Sequence, residues 1–126
     1  MLTITLPCLP PKEYSANNSR GQHWSKKQEI TQSAHDEIIV AVRAQGWHGE
    51  PLTKATVKVT FGLPDRRKRD SGGLIERCKP WLDGLVDAGV IADDDLETIG
   101  WPKYDHFPSP GKPVTIIEIE EATGGT

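Results

Sequence analysis

Cysteine is scarce: only Cys8 and Cys78 occur. Two such residues make no disulfide framework, and no Cys/His spacing in the chain suits a zinc site. Cys78 falls in an apolar pattern and is expected as a buried thiol. Long apolar runs are missing as well. No stretch of 18 apolar residues occurs, so nothing is expected to span a membrane. The opening segment MLTITLPCLPP carries neither the basic start nor the small-residue cleavage site of a secretory signal, and the expectation is a cytoplasmic protein. Positive charge is not in excess either. The net charge is -3. That argues against a protein that coats nucleic acid with its whole surface, but it leaves room for a local basic site.

What charge there is comes in blocks. Arg66-Arg67-Lys68-Arg69 is a dense basic run. Asp93 to Glu97 is a dense acidic one, and Glu118, Glu120 and Glu121 stand near the C-terminal end. At 126 residues the chain fits one domain, residues 1–126, with one modest core.

Hydrophobic periodicity divides the chain into alternating strands and helices. Residues 2–6 alternate apolar and polar, which predicts a strand with one buried face, closed by Pro7, Pro10 and Pro11. Residues 12–23 read as a long polar loop. From Ser25 to Ala44, Ile30, Ala34, Ile38, Ile39 and Val42 recur at helical steps, and Gly46 and Gly49 close the helix. Residues 53–61 return to period two, with Ala55, Val57, Val59 and Phe61 facing inward. A loop over 62–73 carries the basic run. Pro80 is tolerated only in a first helical turn, so regular helix is expected from residue 79 or 80 to Gly89. Residues 74–78 are then irregular or a looser turn, or else part of a kinked helix that begins near Leu74. Residues 96–104 read as an extended edge strand because of Pro102, 105–112 as a turn-rich loop, and Val114 to Ile119 as the last strand. Val114, Ile116 and Ile117 are its expected buried residues, and the terminal Gly-Gly-Thr is expected to fray. The order is β-α-β-α-β-β: an α+β fold with two helices on a four-stranded mixed sheet.

Several residues bear chemistry on their own account. Three adjacent aspartates, Asp93, Asp94 and Asp95, repel one another. They suit either a solvated turn or a divalent cation held by oxygen ligands. Asp70 lies just ahead of the second helix and meets Asp94 only if the loops on both sides fold back. Lys79 is either a partner of Asp83 at i,i+4 or a cation that offsets charge at a reacting phosphate. Glu76, one turn away, is either solvated or a further ligand. The run Arg66, Arg67, Lys68 and Arg69 suits a phosphate backbone, though solvated loops of this composition are common. Arg20 and His23 are weaker candidates for DNA contact. Trp81 is expected in the core, while Trp101 is open between core and a stacking surface.

The segment Pro64-Asp65-Arg66-Arg67-Lys68-Arg69-Asp70, followed by Lys79-x-x-x-Asp83-x-Leu85-x-x-x-Gly89 and Asp93-Asp94, resembles the RusA family of Holliday-junction resolvases, most of all the phage and prophage versions of actinobacteria. The early loop Asn17 to Trp24 is similar to that family's too, and the resemblance covers about residues 3–120. It implies a RusA-like fold and a homodimer that nicks four-way DNA junctions with magnesium, manganese being able to substitute. Asp70 matches the family's first carboxylate, Lys79 its lysine and Asp94 its last carboxylate. The second carboxylate and the asparagine after it are replaced here by Gly72 and Gly73, so Asp93, Asp95 or Glu76 is the expected compensating ligand. A branched-DNA binding protein that has lost cleavage is the alternative this replacement raises.

Overall fold

The computed structural model describes residues 1–11 and 24–122, without the side chains of residues 24–27. The strand of residues 2–6 forms as its alternation predicts: β1 (Leu2–Leu6) buries Leu2, Ile4 and Leu6 and exposes Thr3 and Thr5. Helix α1 (Trp24–Ala44) buries Ala34, Ile38 and Val42, one stripe of its surface. Gly46, at φ 75°, turns the chain beyond the helix in a conformation that a Cβ disfavours. Strand β2 (Ala55–Leu63) starts and ends two residues later than the alternation suggested, because Phe61, Gly62 and Leu63 continue its pairing.

The stretch after the basic run is more helical than expected. Residues 74–76 are helical and only 77–78 form a turn: α2 (Ser71–Glu76) forms ahead of α3 (Lys79–Asp87). Asp70 makes this possible, since its carboxylate accepts from the Gly73 N–H at 3.1 Å and caps a turn otherwise weakened by two glycines. Pro80 sits in the first turn of α3, where its missing N–H costs nothing. Residues 96–104 are not one extended segment either. Asp95 caps a single-turn helix, α4 (Leu96–Ile99), accepting from the Thr98 N–H at 2.9 Å. Strand β3 (Lys103–Pro108) then takes residues read as loop, held by parallel pairing to β2 from Lys58↔Lys103 to Leu63↔Pro108. Strand β4 (Val114–Glu121) buries Thr115, Ile117 and Ile119. Val114 and Ile116 stand half-buried on the other face, because register with β2 puts Ile117 opposite Val59 and Ile116 opposite Thr60. The terminal Gly-Gly-Thr lies outside the described residues.

The sheet order is β1-β4-β2-β3, with β4 antiparallel to both neighbours and β2 parallel to β3. The fold is therefore α+β on a four-stranded mixed sheet, and β3 is an edge strand, as Pro102 suggested. Helices α1 and α3 pack closely on each other. A Cβ on Gly84 would lie 2.8 Å from both the His35 carbonyl oxygen and the Ile38 Cβ. Trp81, Leu85, Ile38, Val59 and Ile117 share the core, each at most 1% exposed, and burying a large side chain of this kind is worth about 1.5–3 kcal/mol. Cys78 is buried as expected, and desolvation pushes its thiol up to about 12. No helix among the described residues is long and apolar enough to cross a membrane.

Candidate functional site

The acidic run is pinned at both ends. Before it, Val90 and Ile91 are buried, and Leu52 bridges to Ile91: the Leu52 N–H donates to the Val90 carbonyl at 2.9 Å, and the Ala92 N–H to the Leu52 carbonyl at 2.9 Å. After it, the capped turn of α4 buries Thr98 and Ile99. Between these anchors the chain folds back along α3, so that Asp94 meets Lys79 at the start of that helix. Lys79 also holds Asp83 at 3.1 Å. The i,i+4 partner and the long-range partner are therefore both real, and Lys79 stands between two carboxylates.

This arrangement tunes both partners. The hydrogen bond to Asp94 holds the Lys79 ammonium above the ordinary lysine range, against the opposing effect of partial burial. The same bond holds the Asp94 carboxyl below the ordinary range. The Asp94 side chain is 18% exposed and that of Lys79 47%, so the pair lies at the surface with its acidic end more enclosed.

The four candidate aspartates, Asp70, Asp93, Asp94 and Asp95, have separated roles. Asp94 faces Lys79. Asp93 accepts from the Asp94 backbone N–H at 2.7 Å and fixes the turn. Asp95 and Asp70 are helix caps, and the bond to Thr98 lowers the Asp95 pKa. The structure brings Lys79 to Asp94, and it brings Glu76 to Lys79 in one shallow cleft with Ile75, Leu82 and Tyr104. Asp70 caps the other end of α2 and does not line this cleft. Among the described residues, no group of three or more His, Cys, Asp or Glu side chains is placed to hold a metal ion together. The carboxylates that are present offer oxygen donors alone. That chemistry suits magnesium or manganese, which complete their shells with water and phosphate oxygens.

The basic run is ordered by Asp65. Its carboxylate accepts from the Arg67 backbone N–H at 2.9 Å and pairs with the Arg69 guanidinium at 3.0 Å, and the Arg67 bond foremost lowers its pKa. Arg69 is largely enclosed, at 14% exposure, while Arg67 is open at 76%. Arg67 and Arg69 line a cleft of about 240 Å³ with Phe61, Tyr104, Ile75 and His106; Arg66 and Lys68 are exposed outside it. His106 falls in the 105–112 segment expected as a loop; it reaches this cleft because that segment begins inside β3. Trp101 is 83% exposed and belongs to no core. Arg20 and His23 lie outside the described residues.

Sequence comparisons add little that names a function. No protein-family model matches the chain. The chain is 30% identical over 105 residues to an uncharacterized protein of Xylella fastidiosa (strain Temecula1). That alignment takes in 81% of this chain and 65% of the other, so the chain spans slightly less than two thirds of that relative's length.

Proposed function

We propose that this chain is a RusA-type endonuclease that resolves four-way DNA junctions by hydrolysing phosphodiester bonds with magnesium. The observation that carries the reading is the return of Asp94 to Lys79, across 15 residues of sequence, beside a cleft that shares Ile75 and Tyr104 with the cleft of Arg67. A cation and a carboxylate are thereby held together next to a surface suited to phosphate. Asp94 and Asp70 would hold the metal, with Asp93, Asp95 or Glu76 as the further ligand. When bound, it would supply an activated water and charge stabilisation at the scissile phosphate.

The chain's own groups have separate tasks. Lys79, cationic throughout the neutral range, offsets negative charge that grows on the phosphate oxygens. Arg66, Arg67, Lys68 and Arg69 hold the DNA backbone without reading its sequence. Entry of DNA requires Lys79 to exchange part of its bond with Asp94 for a phosphate. A homodimer sets two such sites on the strands related by the junction's two-fold symmetry.

A synthetic junction tests the reading. Cleavage is expected to need magnesium or manganese and to vanish in Asp70→Asn and in Asp94→Asn. Unchanged turnover in both variants would remove the assignment. Gly72, and the lack among the described residues of three carboxylates placed to hold a metal together, favour a second reading, a branched-DNA binder without cleavage. It predicts that junctions shift in a gel but stay intact with either metal, and that binding weakens as salt rises.

A further inference from the structure

The cleft beside the basic run joins two kinds of surface. One wall is apolar: the Phe61 and Tyr104 rings stack with centroids 6.3 Å apart, and Ile75, 39% exposed, stands at the same opening. The rest is polar: Arg67, Arg69, His106 and Ser71, with one carboxylate, Asp105, whose side chain accepts from the His106 backbone N–H at 2.7 Å. The volume, about 240 Å³, is below the roughly 300 Å³ at which pockets for drug-sized ligands begin. That leaves room for one flat ring system. Arg67 is the exposed cation; Asp65 fixes its backbone and also holds its guanidinium at 3.5 Å, a surface pair that a phosphate can replace. An apolar aromatic surface beside a guanidinium is the combination by which unpaired strands are held, with the base on the first and the phosphate on the second. Ile75 and Tyr104 also line the cleft of Lys79 and Glu76, so the two recesses lie on either side of a shared wall.

We propose that this cleft receives one unstacked nucleotide of the DNA. The base lies against Ile75 and Tyr104, and its phosphate lies on Arg67. The next phosphodiester is thereby delivered to Lys79. The inference rests on the junction reading and deepens it, because it says what is recognised at a branch. A base within linear duplex must first be pulled from the stack. A base at a branch point has already lost part of its stacking, so occupying the cleft costs less there. Preference for branched over linear DNA follows without any base-specific hydrogen bond.

The test measures binding in EDTA, where no cutting occurs, to four-way junctions that each carry one abasic nucleotide at a successive position near the branch. At one position the abasic junction is expected to bind about 5- to 150-fold more weakly, the range that stacking of one base on such a surface supplies. Ile75→Asn and Ser71→Phe, both charge-neutral changes at exposed residues lining the cleft, are expected to weaken the intact junction by a similar factor. They should leave the abasic junction nearly unchanged. Circular dichroism of both variants confirms that they fold. Equal affinity for all abasic junctions overturns the proposal while the junction reading stands, and so do variants that weaken intact and abasic junctions alike. Failure of the wild-type protein to bind any junction overturns both.

Discussion

Introducing a carboxylate at residue 72 is the most informative single change. A Cβ placed on Gly72 meets only the two Asp70 carboxylate oxygens, at 3.7 and 4.0 Å, which is ordinary contact. The backbone there is not in the left-handed region, so Gly72→Asp introduces no strain. The position lies in the first turn of α2, where a negative side chain is favoured by a few tenths of a kcal/mol and where losing glycine gains a similar amount. Against this, two carboxylates about 5 Å apart repel by about 0.8 kcal/mol in water, and by less in salt. The metal-free variant should therefore match the wild type within about 1 kcal/mol. Magnesium then separates them. At tenfold its dissociation constant, a newly completed site adds about 1.4 kcal/mol, or roughly 5 °C in melting temperature. Thermal unfolding in EDTA and in magnesium reads this directly, and junction cleavage is expected to rise with it. If the variant gains no more from magnesium than the wild type, and cleavage is unchanged, Asp70 is not a metal ligand.

Three further outcomes follow from other contacts. Gly84→Ala sets a methyl group against the His35 carbonyl and Ile38 Cβ, neither of which can swing away. Overpacking of about 1–3 kcal/mol outweighs the roughly 1 kcal/mol of helix propensity gained, so urea denaturation should show net destabilisation and a gain in stability would contradict the packing. Lys79→Met should lower junction cleavage about 100-fold or more. It also removes the Asp94 stabilisation, which is present above the ordinary aspartate pKa of about 3.9 and lost as pH falls through the depressed folded value, so the stability gap to wild type should be wide at neutral pH and close in acid. The third concerns His35 Nε2, which lies 2.5 Å from Asp87 Oδ2 and ties α1 to the end of α3; chiefly this bond raises the His35 pKa. Its contribution is complete below about pH 6.5 and lost as pH rises through the folded value, so wild-type stability should decline over that window and Asp87→Asn should flatten the decline.

Periodicity made most of the scaffold legible. β1, α1 and β2 each bury one side, and their apolar residues fall at the matching step of two or of three and four. The errors came where local polar contacts outweighed pattern. Nothing in Ser71-Gly72-Gly73 favours a helix, yet Asp70 starts one by capping it. Leu96 to Tyr104 looked extended, yet Asp95 opens a turn inside it. In both cases the missed signal was an aspartate acting as a helix cap. An N-cap and a cation site ask for the same residue type in the same kind of turn, and sequence alone does not separate them. The meeting of Lys79 with Asp94 was legible only as a condition, that the chain fold back after α3. The anchors that satisfy it, Leu52 with Val90 and Ala92, are backbone bonds that no side-chain pattern announces.

Mapping the products of junction cleavage tests the central claim most directly. A four-way junction labelled in turn on each strand is incubated with the wild-type protein and magnesium. The account predicts nicks on two opposite strands, at matching distances from the branch and resealable by ligase, with linear duplex left whole. A junction that is bound but stays intact in both magnesium and manganese, or linear duplex cut as fast as the junction, would contradict it.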